Sequence, residues 1–470
     1  MVTLIDTVTP SEESPNDATA VRAEALKNHV YPLDGTKRTP LCMLAFTTPC
    51  QEPDGSIRLC SASSTFGYAR ETNMGNAQKI GMAEVWAGEK YRHIRKSLMT
   101  GDQLEPYCAA CEYRFHGEAW MFQLHLALFA YSSGVRDAET LGLIRRWCDR
   151  YAEYAAQAPD LGLEVHPLPE LDRPAPAEPR KGGLTRLMHF PGWRQAAADS
   201  LELGETTFNT ALPESIIAGR ELPVYIDFNT LNRCNVSCIM CPPAVLHDDK
   251  GVARDEYYRL SLEEFTEICG AMNVKTAHFV GAYAEPLLNK DIFDLIALAK
   301  SKGAFTAITT NATPLVPAFA EKLLDAGLDM MTVSLHGATA KTAESIMRKS
   351  SFERVVANLK HLQKRKKERG MTKPDVFINF VSQRANVEEI PDFMNLAHEM
   401  GVEHVHIIHL IDGGLDDKST NLIYYPELLG PAIVEAKRRA KALGVNAYIS
   451  PAYTEIVSAY EASLNGAGAA

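Results

Sequence analysis

The sequence predicts an α/β protein whose largest part is a partial (β/α)6-type, TIM-like barrel, preceded by a small cysteine-rich module and a group of helices. Two observations carry this prediction. From about residue 223 onward, short apolar runs alternate with helical patterns, whereas the first part of the chain contains clustered cysteines instead. With 470 residues and 46% hydrophobic content, the chain can bury the cores of two or three domains.

Six apolar runs are the predicted strands of the barrel. Their nearly continuous apolar character is typical of parallel strands covered by helices. The helices between them have recognisable ends, such as the capping box Ser261 to Glu264 and the stops before Gly303, Gly327, Gly401 and Gly444. In chain order the runs are PVYIDFNT (223–230), TAHFVGAY (276–283), AFTAITTN (304–311), DMMTVSLH (329–336), DVFINFVS (375–382) and EHVHIIHL (403–410).

The predicted domain organisation has five segments. A polar N-terminal segment, 1–40, is expected to be disordered, and a Pro-rich stretch at 166–183 is expected to be a linker or surface loop. The segments are a disordered N-terminus (1–40), a cysteine-rich module (41–116), a helical region with the Pro-rich linker (117–220), the partial β/α barrel (221–450) and a C-terminal tail (451–470).

The charge and hydropathy patterns exclude several classes of partner. A formal net charge of −11 and a pI near 5.7 argue against nucleic-acid binding, which needs a basic face. The one dense basic run, 360–373, continues an amphipathic pattern and is predicted to be a solvated helix face. No apolar run approaches the ~20 residues of a membrane span, and no secretory signal is evident. We therefore predict a cytoplasmic protein with no nucleic-acid or membrane partner.

The ten cysteines favour metal binding or catalysis over disulfides in such a protein. Three of them, in NRCNVSCIMCPP, form a C-x3-C-x2-C pattern directly after the first barrel strand: Cys234, Cys238 and Cys241. Thiolates suit iron–sulfur clusters, and three ligands leave one iron of a 4Fe–4S cluster open to an external ligand with an amine and a carboxylate. The alternative is a zinc site, but zinc prefers four ligands in a closed arrangement, and the nearest fourth, His247, is unfavourably spaced.

This spacing resembles the signature of the radical S-adenosylmethionine (SAM) superfamily, and the resemblance covers roughly residues 223–450. Segments at the ends of later strands are similar to the family's cofactor-binding motifs: GAYAEPLLN (281–289), TTNATPL (309–315) and SLHGAT (334–339). Met240 stands where the family often has an aromatic residue. The resemblance implies that the cofactors are a 4Fe–4S cluster and SAM, and that the cofactor-binding residues are Glu285, Asn311, Ser334, Arg348 and Gln383.

The resemblance also implies the reaction type. A reductant, an electron donor such as flavodoxin or ferredoxin, supplies one electron, SAM is cleaved, and the resulting 5′-deoxyadenosyl radical removes a hydrogen atom from the substrate. The cofactors carry this chemistry, while the barrel aligns them and excludes water.

The N-terminal cysteines resemble the SPASM/twitch auxiliary-cluster module, although here the module precedes the barrel. This resemblance implies that Cys42, Cys60, Cys108 and Cys111 are the four ligands of a second, auxiliary 4Fe–4S cluster, and that Gly55 permits a hairpin turn. Cys50 is left over as a spare ligand or plain thiol. A four-cysteine zinc site is the alternative, because C-x2-C with two distant cysteines also describes a zinc ribbon.

Three functional hypotheses follow. The first is dehydrogenation or epimerisation of a polar small molecule or sugar-like metabolite, with His336, His409 or His247 as the candidate base; for epimerisation, Cys50 or Cys269 is a candidate hydrogen-atom donor. The second is modification of a ribosomally made peptide, because SPASM/twitch modules recur in such enzymes. The third is a non-catalytic iron–sulfur or zinc scaffold, which requires that Glu285, Asn311 and Arg348 do not converge near the three cysteines.

Overall fold

The computed structural model divides the chain into two compact units. One unit consists of residues 1–46 and 87–222, and the other of residues 47–86 and 223–470. The structure describes residues 39–41, 45, 49–52, 55–60, 72–100, 105, 108, 115–117, 138, 141–142, 144–145, 224–241, 258–271, 274–281, 284–410, 419–450 and 453–467. The expected disordered segment, apart from Thr39 and Pro40, and the expected Pro-rich linker lie outside these residues.

The described strands and helices are numbered here in chain order. The strands are β1 (Thr39–Leu41), β2 (Cys50–Gln51), β3 (Ser56–Arg58), β4 (Asn73–Asn76), β5 (Phe115–Gly117), β6 (Val224–Asn229), β7 (Ser237–Cys238), β8 (Val274–Val280), β9 (Phe305–Thr310), β10 (Met330–Ser334), β11 (Met347–Arg348), β12 (Asp375–Ser382), β13 (His404–His409) and β14 (Asn446–Ile449). The α-helices are α1 (Ala77–Ile80), α2 (Met82–Trp86), α3 (Glu89–Thr100), α4 (Leu262–Ala271), α5 (Ile292–Ser301), α6 (Pro317–Ala326), α7 (Ala340–Ile346), α8 (Phe352–Glu368), α9 (Ile390–Glu399), α10 (Pro426–Leu443) and α11 (Thr454–Ala467).

In the first unit, a short antiparallel pair lies beside one amphipathic helix. Strand β1 pairs with β5, and the described part of α3 is anchored by Arg95, whose Nε donates to the backbone oxygen of Ala45 at 3.0 Å. The same guanidinium lies over the ring of Tyr91, and burial lowers its pKa to about 10.

In the second unit, a sheet of ten described strands has the order β14-β13-β12-β10-β9-β8-β6-β2-β3-β4. The seven strands from β6 to β14 in this order are mutually parallel. The six predicted strands and the partial-barrel fold class are therefore confirmed. The seventh parallel strand, β14, was not predicted.

The sheet also includes strands from the cysteine-rich segment. Strand β2 pairs parallel with β6, with Cys50 opposite Asp227, and β3 and β4 continue from it in antiparallel order. The turn between β2 and β3 contains Gly55 in the left-handed region, at φ 76°, as the sequence predicts. The predicted domain boundaries remain predictions, but residues 47–86 belong to the same compact unit as the barrel strands.

Helices cover one face of this sheet through apolar side chains. Phe228 and Phe279 on the strands pack against Phe265 of α4, with ring centroids 4.9 and 5.5 Å from that of Phe265. Further along, Phe380 of β12 packs against Phe393 of α9 at 4.7 Å. The face that these described helices cover is called the outer face and forms the apolar core of the unit; the opposite face of the sheet is called the inner face.

The helix ends agree with the sequence signals. The capping box forms at α4, where Glu264 N donates to Ser261 Oγ at 3.2 Å and Ser261 N donates to Glu264 Oε2 at 2.9 Å. The first part of the basic run lies on α8, and Arg369, directly after the last residue of this helix, pairs with Glu321 and Asp325 of α6. Among the helices that the structure describes, none combines the length and apolar content needed to cross a membrane.

Candidate cofactor site at the strand ends

The loop that carries the cysteine triad is fixed to the body of the barrel by backbone hydrogen bonds. Strand β7 contains Cys238 and pairs antiparallel with β11, so that Cys238 lies opposite Met347 and Ser237 opposite Arg348. Next to this pair, Ile239 N donates to the Ile346 oxygen at 2.9 Å. A tight turn follows, with Cys241 N donating to the Cys238 oxygen at 3.0 Å. The three cysteines are partly exposed and free of disulfides.

The three cysteines interact electrostatically. The pKa of Cys238 is raised to about 12, first by burial and then by charge repulsion from Cys241 and Cys234, while Arg348 opposes this rise. Arg348 is held by its own strand pairing and by Nε, which donates to the Ser237 oxygen at 3.3 Å. A thiol that resists ionisation on its own becomes a good ligand when iron compensates its charge, and three cysteines on one short loop suit an iron–sulfur cluster.

Glu285 is fully enclosed at the end of the next strand. Its Oε1 accepts from Leu287 N at 3.0 Å and from Thr310 Oγ1 at 2.6 Å, and its Oε2 accepts from Asn311 N at 2.7 Å. Burial nevertheless raises its pKa to about 7, against the effect of these three donors. The loop before it is compact at Gly281, where an added Cβ would lie 2.2 Å from the backbone oxygen of Ala284.

Asn311 links Glu285 to the cysteine loop. Its Nδ2 lies 3.7 Å from Cys234 Sγ and 3.0 Å from Asn235 Oδ1, while its Oδ1 accepts from Thr313 N at 2.9 Å. The next residue, Ala312, has a φ of 54°, which is unfavourable for any residue with a Cβ. Asn358 of α8 holds this conformation, because its Nδ2 donates to the Ala312 oxygen at 3.0 Å.

His336 and Gln383 belong to a second network, at the ends of β10 and β12. His336 Nδ1 accepts from Val381 N at 3.1 Å, and burial lowers the pKa of this ring to about 4. Its Nδ1 lone pair is therefore occupied, and the ring is neutral. Asn386 joins the two segments, with Nδ2 donating to the His336 oxygen at 2.9 Å and Oδ1 accepting from Gln383 N at 2.8 Å. Ser334 ends β10 beside them, in register with Asn379 of β12.

Two buried polar atoms on this edge have no protein partner within the described part of the chain. They are Gln383 Nε2 and Thr313 Oγ1, on side chains that are 1% and 7% exposed. A buried donor normally has a partner, because leaving it unpaired costs about 1–3 kcal/mol. These two atoms are therefore suited to a polar cofactor at the strand ends.

The remaining predicted residues are more scattered. His409 ends β13, where its Nδ1 is 2.7 Å from Ser450 Oγ. Cys60 follows β3 in the barrel unit and is 9% exposed, whereas Cys108 is partly buried in the other unit. His247, Cys42 and Cys111 lie outside the described residues. The ligand and catalytic roles of all these side chains remain predictions.

The structure thus brings the cysteine triad, Glu285, Asn311 and Arg348 together at one edge of the sheet. Sequence reasoning missed three contributors to this site: Thr310, Asn358 and the unpaired Thr313. Thr310 and Thr313 lie within the TTNATPL segment, so the motif located them without distinguishing their roles. Asn358 is an uncharged polar residue in an otherwise apolar helical stripe, and that position was an available signal.

Comparison with known families agrees with this geometry. Residues 228–381 match the sequence model of the radical SAM superfamily, and residues 42–112 match that of an iron–sulfur cluster-binding domain, SPASM. The strand-end cysteine site therefore lies within a radical SAM domain. More closely, the chain combines this domain with a SPASM domain on its N-terminal side. Its cofactors are SAM and a 4Fe–4S cluster, with auxiliary iron–sulfur binding by the SPASM domain.

Curated relatives include enzymes of different activities. The chain is 27% identical over 205 residues to an AdoMet-dependent heme synthase from Methanosarcina barkeri, a match that covers 43% of this chain and 55% of the relative. It is 30% identical over 186 residues to a probable GTP 3′,8-cyclase from Saccharolobus islandicus, covering 39% of this chain and 55% of the relative. The chain spans about half the length of the curated relatives it matches.

Two solved structures align with part of the chain. SuiB of Streptococcus suis, bound to its precursor peptide SuiA, aligns with a TM-score of 0.38 and 14% identity, covering 66% of this chain and 62% of that chain. Native anSMEcpe with bound AdoMet aligns with a TM-score of 0.39 and 14% identity, covering 48% and 62%.

Proposed function

We propose that this chain uses SAM to remove a hydrogen atom from a polar small-molecule or sugar-like substrate, in a dehydrogenation or an epimerisation. The observation that carries the proposal is the direct linkage of the cysteine loop, Glu285 and Asn311 at one sheet edge. That linkage argues against a non-catalytic scaffold, for which these side chains have no reason to converge. When bound, the reduced cluster and SAM supply a 5′-deoxyadenosyl radical as the hydrogen-atom acceptor.

The residues have distinct proposed roles. Cys234, Cys238 and Cys241 hold the cluster, and Arg348 offsets their negative charge. Glu285 accepts a hydrogen bond from the amine of the cofactor. Asn311 fixes the distance between the Glu285 carboxylate and the cysteine loop. Donors for the remaining polar atoms of SAM are Gln383 Nε2 and Ser334, with Thr313 Oγ1 as an addition from the structure.

The auxiliary module supplies a second proposed cluster site. Cys42, Cys60, Cys108 and Cys111 all fall within residues 42–112, which match the iron–sulfur cluster-binding domain. A second cluster that accepts an electron from a substrate radical favours oxidation, which is why we place dehydrogenation before epimerisation. An external one-electron donor such as flavodoxin or ferredoxin completes the proposed system.

Metal content and SAM cleavage test the cofactor assignment. Anaerobically reconstituted protein should contain about eight irons with matching sulfide, and a Cys234/Cys238/Cys241→Ala variant about four, with loss of 5′-deoxyadenosine formation from SAM. The matched control is Cys269→Ala, a thiol on α4 with a pKa raised to about 11 by burial, which should retain all the iron. Absence of iron from the wild type, or SAM cleavage by the triple variant, would contradict the assignment.

A deuterium-transfer experiment tests the substrate class. The reduced protein is incubated with SAM and a perdeuterated extract of the native host, separated by size into small metabolites and peptides. Deuterium in 5′-deoxyadenosine from the small-metabolite fraction supports the proposal. Label from the peptide fraction alone would instead establish the peptide-modifying alternative.

A further inference from the structure

The inner face of the sheet, opposite the helices, can be followed residue by residue from the strand register. On β6, Phe228 packs against the helices, so Asp227 and Asn229 point to the inner face. This face continues across the sheet. Asp227 is in register with His278 of β8. Thr309 of β9 is in register with Thr332, Phe377 and His404 on the following three strands. In the next row, Ser334, Asn379, His406 and Tyr448 are in register.

This face differs from the interior of a closed β/α barrel, which is a packed core of branched apolar side chains. Here it carries a hydrogen-bonded triad. His278 Nδ1 is 2.8 Å from Asp227 Oδ1, and His278 Nε2 is 2.9 Å from Thr309 Oγ1. The Asp227 side chain is 6% exposed and that of His278 is 16% exposed. The carboxylate therefore lies behind the ring, and the ring reaches the open side.

The opposite side of the same face is built from flat rings. Phe377 stacks on His404 with centroids 4.5 Å apart, and His406 meets Tyr448 edge-on at 5.0 Å. His406 is also fixed by Asn379, whose Oδ1 lies 3.1 Å from its Nδ1. Phe377 and Asn379 are half-buried and Tyr448 is 38% exposed, so this wall is accessible. Flat apolar rings beside amide and imidazole groups suit a ring-shaped or short polar molecule that is partly apolar.

Among the described side chains of the seven parallel strands, none is a lysine or an arginine. Arg58, on the added hairpin, pairs with Glu52. Phosphate groups are normally bound by Arg, Lys or the N-terminus of a helix. Asp227 would repel an anion at this position, and only neutral or cationic groups avoid that repulsion.

From these observations we infer that the inner face beside Asp227, His278 and Thr309 binds an uncharged or cationic substrate bearing hydroxyl groups and no phosphate. The site is next to the candidate cofactor site along β9, because Thr309 directly precedes Thr310, which donates to Glu285. This inference rests on the proposed function and narrows its substrate class.

The triad also provides a destination for a substrate proton. In the tautomer that donates from Nδ1 to Asp227, the His278 ring accepts at Nε2 from the Thr309 hydroxyl. A substrate O–H that donates to Thr309 Oγ1 can lose its proton to this oxygen while Thr309 passes its own to His278 Nε2. The substrate oxygen then carries the negative charge, the ring is an imidazolium, and Asp227 balances it. In this arrangement Asp227 is a positioning residue and His278 holds the proton.

The test uses the small-metabolite fraction of the perdeuterated extract, separated on an anion exchanger into unretained and retained molecules. Each part is incubated with reduced protein and SAM, and deuterated 5′-deoxyadenosine is divided by total 5′-deoxyadenosine. Wild-type label should come from the unretained part. In Asp227→Asn and His278→Ala, the deuterated fraction of 5′-deoxyadenosine should fall about tenfold or more, the usual effect of losing a hydrogen bond to a charged group. The exposed His398 on α9 provides the matched control, His398→Ala, which should label like the wild type.

Each other outcome overturns a different statement. Label only from the retained, anionic molecules overturns the inferred substrate class and leaves the proposed function standing. Label from the unretained part that is unchanged in both variants overturns the role of the triad. A parallel loss of total 5′-deoxyadenosine would place the triad in cofactor binding instead. Absence of label from all fractions, with SAM still cleaved, would overturn the proposed function and this inference together.

Discussion

Glu285 is expected to change its protonation state near neutral pH. Burial raises its pKa from 4.5 to about 7, although three donors face its oxygens. Because the folded state binds this proton more tightly than the unfolded chain, the contribution of Glu285 to stability is complete below pH 4.5 and is lost as the pH rises to about 7. At about 1.4 kcal/mol per pH unit, the loss is about 3 kcal/mol.

The variant Glu285→Gln isolates this contribution, since the amide keeps the shape of the side chain and remains uncharged. The variant loses one acceptor, so the Asn311 N–H is left unpaired at a cost of about 1–3 kcal/mol at every pH. The difference in free energy of unfolding between the two proteins should therefore shift by about 3 kcal/mol in favour of the variant between pH 4.5 and 8.

Two measurements check this expectation. Guanidinium denaturation of wild type and variant across this pH range gives the difference in stability. Infrared spectroscopy of the folded protein gives the C=O stretch of the protonated carboxyl, which should be present at pH 5, absent at pH 8.5 and missing from the variant. Thr310→Val should move this transition to higher pH, because the hydroxyl it removes stabilises the carboxylate. A difference in free energy of unfolding between wild type and Glu285→Gln that is the same at every pH would refute the reasoning.

Two further outcomes are expected. His336, whose pKa burial lowers to about 4, should have the opposite effect: its contribution to stability is lost as the pH falls from 6.5 to about 4, and His336→Gln should flatten that loss in the same denaturation series. Asn358→Leu should lower the free energy of unfolding by about 1–3 kcal/mol, because the Ala312 oxygen loses its donor. The same variant should bind SAM more weakly in equilibrium dialysis. Gln363→Leu, on the exposed side of the same helix, should leave SAM affinity unchanged.

The barrel strands could be predicted closely because buried parallel strands appear as uninterrupted apolar runs that end at turns. The run DVFINFVS coincides with β12 at both ends. Strand β14 gave no such signal, since its four residues alternate between exposed and half-buried positions at the sheet edge. Strand β2 has only two residues, and its pairing with β6 joins positions far apart in the chain, which no local pattern indicates.

The candidate cofactor site was located by family resemblance, but its internal contacts were not. Motif spacing placed Glu285 and Asn311 at strand ends, whereas the hydrogen bond between them depends on the packing of two adjacent loops. The inner-face triad was missed for another reason. Asp227 and His278 are polar residues within two of the predicted apolar strands. A polar residue in an otherwise apolar strand was the available signal for a polar inner face.

The two buried titratable groups at this edge oppose each other in their dependence on pH. Between pH 4.5 and 6.5, the contribution of Glu285 to stability falls while that of His336 rises, each by a similar amount. The wild type should therefore be less sensitive to pH in this window than either single variant. The same side chains fix backbone segments: Glu285 holds the start of the β9 loop, and His336 accepts from the end of β12. The edge thus combines buried polar groups, whose charged forms are costly, with a rigid cofactor-binding geometry that those groups maintain.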